Sequence, residues 1–210
     1  MALLFMEGFD HYGTGGDPSS FGKWVSGTGP SVQSSPTRTG THSLRMTAVS
    51  SDLVSKSFTT SGGFIVGLAL HFTTTPTTTD FIQVREGTTV HLALGITTGS
   101  LLTVKRGSTL LATGTTVLSQ NNWYYIEFKG TIHDTTGSYD VRVDGVSQAG
   151  LSSGSGDTQN AGTGIWNNIR LSSASSISAT YIDDFYLCDT SGSAPRNTFL
   201  GAVKVETLLP

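Results

Sequence analysis

Residues 181–188 read YIDDFYLC, two adjacent carboxylates, Asp183 and Asp184, set in an apolar and aromatic run. Paired acids serve general acid–base catalysis, ligation of a hard cation, or plain hydrogen bonding. Adjacent residues on a regular strand point to opposite faces, which argues against a side-by-side dyad. Glu7 and Asp10 near the start bring two more carboxylates, and the terminal strands of a sandwich often pair. Glu7, Asp10, Asp183 and Asp184 are therefore the candidate Ca²⁺ ligands, for an ion that takes about 6–8 oxygens. The alternative is that one aspartate faces solvent while the other accepts from loop N–H groups.

Other chemistries find less support. Glycoside hydrolysis needs two carboxylates about 5–9.5 Å apart across the bond. In SYDVRVDG, Asp140 and Asp144 share a face but lie roughly 13 Å apart, with Arg142 between them. With Glu127 they are the candidates for a polysaccharide depolymerase, the least favoured class. His11, His42, His71, His91 and His133 show no paired zinc spacing, and no nucleophile elbow or phosphate-cradling loop is present. Cys188 is the single cysteine, so there is no intrachain disulfide, and it reads as a small buried strand residue. Tyr12, Trp24 and Trp166, with Asn167 and Asn168, are the candidates for a sugar-stacking platform.

The elements that must position these residues are strands. Of 210 residues only 13% are charged, while 26 are glycine and Ser and Thr crowd every segment. That composition suits short strands and tight turns and disfavours long helices. About a dozen strand-like runs recur at the spacing expected of a sandwich. Tyr139, Val141 and Val143 alternate with Asp140, Arg142 and Asp144, a half-exposed antiparallel strand. FIVGLALHF is apolar on both faces and belongs deep inside. Loops 73–80 and 150–164 interrupt the pattern. A net charge of −3 leaves no footprint for nucleic acid. No run is long enough to insert in a membrane as a helix, and MALLFMEGF lacks the basic start of a signal peptide. The fold expected is an all-β antiparallel sandwich over 1–189. Residues 190–210 should form a linker and a docking strand seated on the sandwich edge or a neighbouring subunit.

Two sets of motifs carry a resemblance. Over 64–146, an apolar strand, the run GTTVHLALGITTGSLLTVKRG, the WYYI segment (Trp123, Tyr124, Tyr125, Ile126) and the VRVDG segment (Val141, Val143, Asp144, Gly145) resemble the concanavalin A-like, or laminin G-like, jelly roll. The ends, MEGFDHY and YIDDFYLCDTSGSAPRNTFLGAVKVETLLP, resemble tailed-bacteriophage virion proteins built on that jelly roll. Asp183, Asp184, Asp189, Gly192, Asn197, Phe199, Leu200, Gly201, Val205, Glu206 and Pro210 match the terminal pattern. The resemblance implies a non-enzymatic virion structural protein, a capsid decoration or tail component. Its partners would be other virion proteins and copies of itself, with Phe199, Leu200, Val203 and Val205 docking the arm. A host-glycan adhesin acting through the two long loops is the alternative.

Overall fold

The computed structural model describes residues 3–27, 29–47, 53–58, 62–173, 179–195 and 197–206. Its strands are β1 (Leu3–Glu7), β2 (Val25–Ser26), β3 (Ser31–Gln33), β4 (Ser43–Met46), β5 (Leu53–Ser57), β6 (Gly63–Phe72), β7 (Thr79–Glu86) and β8 (Thr89–Ile96). The second half adds β9 (Leu101–Arg106), β10 (Thr109–Val117), β11 (Tyr124–Thr131), β12 (Gly137–Val143), β13 (Val146–Ser147), β14 (Gly154–Gly156), β15 (Asn168–Ser172) and β16 (Thr180–Asp189). One 3₁₀ turn, Pro18–Phe21, starts where Asp17 accepts the Ser19 N–H.

All pairings are antiparallel, in two sheets. Sheet I runs β13-β12-β11-β6-β16-β4-β3, with β1 added to β16 and β14 to β12. Sheet II runs β10-β9-β8-β7-β15-β5-β2. This is the expected antiparallel jelly-roll-like sandwich. The order explains the closure: β16, last in sequence, lies between central β6 and first strand β1.

Period-two alternation builds the core between the sheets. Phe64, Val66, Leu68, Leu70 and Phe72 of β6 face Ile82, Val84, Leu92, Leu94, Ile169 and Leu171 of sheet II in one buried cluster. Val141 and Val143 join it, while Asp140 and Arg142 stay half-exposed, as their alternation requires. Asp144 and Gly145 turn β12 into β13 with φ of 50° and 79°, the left-handed pair that a tight hairpin needs.

A second, smaller cluster lies outside the sandwich. Ile65, Ala69, Tyr125, Tyr186 and Cys188, on the outward face of sheet I, are buried beneath Phe199, with Trp123, Leu200 and Val203 packed around them. This is why β6 is apolar on both faces: the C-terminal segment covers the second one. Trp123 belongs to this outer cluster, whereas Trp24 and Trp166 fill the main core. The expected docking strand is absent from the described part of 190–206, where the backbone is irregular. The segment crosses the face of sheet I as a strap, and its apolar side chains sit on its own sandwich.

Candidate functional site

Asp183 and Asp184 come together, against the expectation from strand alternation, because β16 is bulged between them. Asp183 pairs with Ala69 and Tyr186 with Gly67, so β16 spends one more residue than β6 over that interval. Ile182 and Phe185 both face the core, which turns the two residues between them outward together. Asp184 takes φ of 50° to do so. Both aspartates are fully buried under the loop that joins β3 and β4 and under the strap.

Each carboxylate is occupied by protein donors. Asp183 accepts the N–H groups of Arg38 (2.9 Å), Thr39 (3.3 Å) and Asp184 (2.8 Å). Asp184 accepts from the Arg38 guanidinium (2.5 Å), the Thr39 hydroxyl (2.6 Å) and the Val205 N–H (2.8 Å). Arg38 also donates to the Val203 carbonyl at 2.8 Å and lies over the Tyr125 ring. Burial, and then the neighbouring Asp184 charge, push the Asp183 carboxyl up to about 7. The pair is a structural lock joining loop, strand and strap, with Arg38 as its cation.

Of the other proposed calcium ligands, Glu7 accepts the Phe9 N–H at 3.0 Å and lies 3.6 Å from the Lys23 ammonium. Asp10 accepts the N–H groups of Thr41 (2.6 Å) and His42 (3.0 Å). Among the described residues no three His, Cys, Asp or Glu side chains converge as a metal cage. Glu7 and Asp10 therefore act as clasps of their own, apart from the Asp183–Asp184 lock. No step through a metal is derived from them.

Glu127, one of the hydrolase candidates, is fully buried and receives the Tyr186 hydroxyl (2.6 Å) and the Gly201 N–H (2.8 Å). Asp144 accepts the Tyr125 N–H at 2.8 Å. Glu127 is thus turned away from any ligand, whereas Asp144 is exposed at the β12–β13 turn. Tyr12, Trp24 and Trp166 are core residues, 2%, 3% and 0% exposed, so the expected stacking platform is not on the surface. Asn167 is used by the β7–β8 turn, accepting the Gly87 N–H.

The arm residues fall on the strap. Phe199 packs on the outer cluster, and the Arg142 guanidinium lies 4.4 Å from its ring centroid. Leu200 donates its N–H to the Tyr186 hydroxyl at 3.2 Å, and Leu200 and Val203 are packed around the same cluster. The Val205 carbonyl lies so close to Gly8 that a Cβ there would overlap it. Thus the EGF run at the start meets the strap at Val205. Pro210 lies outside the described residues.

Two of the grooves among the described residues lie on opposite faces of the sandwich. One, of about 320 Å³, lies beside the strap between Lys129, Tyr139, Asp140, Arg142, Ser155 and Phe199. The other, of about 590 Å³, lies on the outward face of sheet II between Asp80, Gln83, Thr88, Val90, Lys105 and Asn160. Sequence reasoning named Asp140 and Asn168 near these places but missed Gln83, Arg85, Lys105 and Arg170. Their only signal was polar alternation along β7, β9 and β15.

No family model matches the chain, and no curated protein sequence does. Solved structures match its fold. Cellulose induced protein Cip1 superposes with a TM-score of 0.65 at 14% identity, over 88% of this chain and 96% of that one. Alginate lyase Aly36B gives 0.59 at 11% identity, over 87% and 95%. A Trypanosoma rangeli sialidase gives 0.51 at 16% identity, over 79% of this chain and 30% of its own. At these identities the likeness shows fold alone: the chain is an antiparallel, jelly-roll-like β-sandwich.

Proposed function

We propose that the chain is a non-enzymatic structural protein on the exterior of a tailed-phage virion. The observation that carries the reading is the lock at the chain ends. Residues within the motifs behind the resemblance to phage virion proteins, Gly8 at the start and Asp184, Phe199, Gly201 and Val205 at the end, share one job in this fold. They strap the last segment across the outward face of sheet I. A shared architectural role explains why such residues would recur as a set without any catalytic arrangement among them. Antibodies against the chain should decorate intact particles of the phage that encodes it, at a fixed position by electron microscopy. Particles purified to homogeneity without the chain would overturn the assignment. Incubation with polysaccharides should release no new reducing ends, and release would overturn the non-enzymatic reading.

A second reading, glycan recognition on that exterior, is favoured by the open polar groove on sheet II. Its rim takes Asp80 from the loop 73–80 side and Asn160 from loop 150–164. The two readings are compatible, since a displayed module can also bind.

A further inference from the structure

The outward face of sheet II carries charge that the fold leaves uncompensated. Cross-strand register aligns Ser55, Arg170, Gln83, Ala93 and Lys105 in one row across β5, β15, β7, β8 and β9. Four inter-strand steps make that row about 19 Å long. Ser57, Asn168 and Arg85 form a second row beside it. Val84 and Ile169, between the rows, face the core, which places these side chains outward.

Lys105 is neutralised by Asp80 at 2.8 Å. Arg85 and Arg170 have no carboxylate within ion-pair distance among the described residues. Arg85 gives one amino group to the Thr88 carbonyl at 2.8 Å. Burial, and then the charge of Arg170, lower its hold on its proton. Two half-buried like charges without a counter-charge are stabilised by a bound anion.

Polar atoms of these side chains and of their neighbours are equally unspent. Gln83 Oε1, Asn168 Oδ1, Thr103 Oγ1 and the Nε of both arginines are enclosed without a protein partner, and Thr103 is only 3% exposed. Ala93 and Gly95, in register with Gln83 and Thr103, keep the floor between them low. Asn160 forms a fixed wall, donating its amide to the Val90 carbonyl and its N–H to His91 Nδ1.

We propose that this face binds a carboxylate-bearing polysaccharide. Arg85 and Arg170 hold carboxylates through their planar forks, and Gln83, Asn168 and Thr103 meet ring hydroxyls. A neutral glycan would leave both guanidiniums without a counter-charge. Nucleic acid would want stacking rings, and these rows carry none. An acidic peptide would satisfy the charges but has no hydroxyl array for the orphaned amides and Thr103. The proposal deepens the glycan-recognition reading and is separable from the particle assignment. Failure to bind sugar leaves the chain free to be found on virions, and absence from virions leaves sugar binding intact.

The test is affinity electrophoresis and calorimetry of the whole chain with polygalacturonate, alginate and hyaluronate, against dextran, dextran sulfate and polyglutamate. At least one polyuronate should bind while dextran does not. Arg85→Gln and Arg170→Gln should each weaken binding by about tenfold, and the double variant should lose it, with the thermal midpoint unchanged. Lys204→Gln, exposed on the strap beside sheet I, should bind as the parent does. No retention by any polyuronate, or undiminished binding by the double variant, overturns the proposal. So does equal binding of polyglutamate or tighter binding of dextran sulfate, since charge alone would then explain it.

Discussion

Asp183 is buried next to a second carboxylate, and its three backbone N–H donors do not offset that burial. Its folded affinity for a proton is therefore raised, from an ordinary value of 3.8 to about 7. A carboxyl with a raised folded pKa stabilises the fold when protonated. That contribution is complete below about pH 4 and is lost as pH rises to about 7. His71 works in the opposite sense, because burial lowers its affinity and its contribution grows with rising pH. The difference between two urea-denaturation profiles separates them. Parent minus Asp183→Asn stability should fall between about pH 4 and pH 7 and be level outside that window. A difference that is level throughout would mean that Asp183 has the same proton affinity in the folded and unfolded chain.

At the scale of elements, the strap behaves as part of the sandwich core. Without it, Ile65, Ala69, Tyr125, Tyr186 and Cys188 would face water, and Glu127 and Asp184 would each lose a backbone donor. Burying a Phe side chain such as Phe199 alone stabilises by about 1.5–3 kcal/mol. Truncation after residue 196 should therefore lower stability by several kcal/mol, on the order of 3–5 with the unpartnered carboxylates included. Cys188 reports the event: its thiol, fully buried in the parent, should react with a maleimide orders of magnitude faster in the truncated chain. A truncated chain with parental stability and a protected thiol would show the strap to be a loose tail. The strands, their antiparallel pairing and the Asp144–Gly145 turn were legible in the sequence, because period-two alternation and turn chemistry are local. The strap was not. FLGAVKV reads as a strand, and only the apolar second face of β6, met across more than a hundred residues, shows what it covers. The bulge was equally hidden: DD inside an apolar run gives no local sign that Ile182 and Phe185 share a face.

For the whole molecule, the decisive contact joins the two ends of the chain. Leu3–Glu7 pairs with Phe185–Cys188, and the strap then lies across Gly8. Phe5 packs edge-on against Trp24 and close to Phe185, so β1 also seals one end of the core. Closing such a long loop is costly in chain entropy, and it is rewarded only when both termini are in place. The sandwich of 1–189 and the strap of 190–206 should thus unfold together, although sequence alone divides them. Removing residues 1–8 should strip β16 of one of its partners and the strap of its seat at the same time. Tryptophan fluorescence and Cys188 labelling should then report one shared, lowered transition rather than two. Two separated transitions, with the thiol exposed at lower urea than the tryptophans, would instead define the strap as an independent unit. It would then be open to docking on a neighbouring virion protein, as the sequence alone suggests.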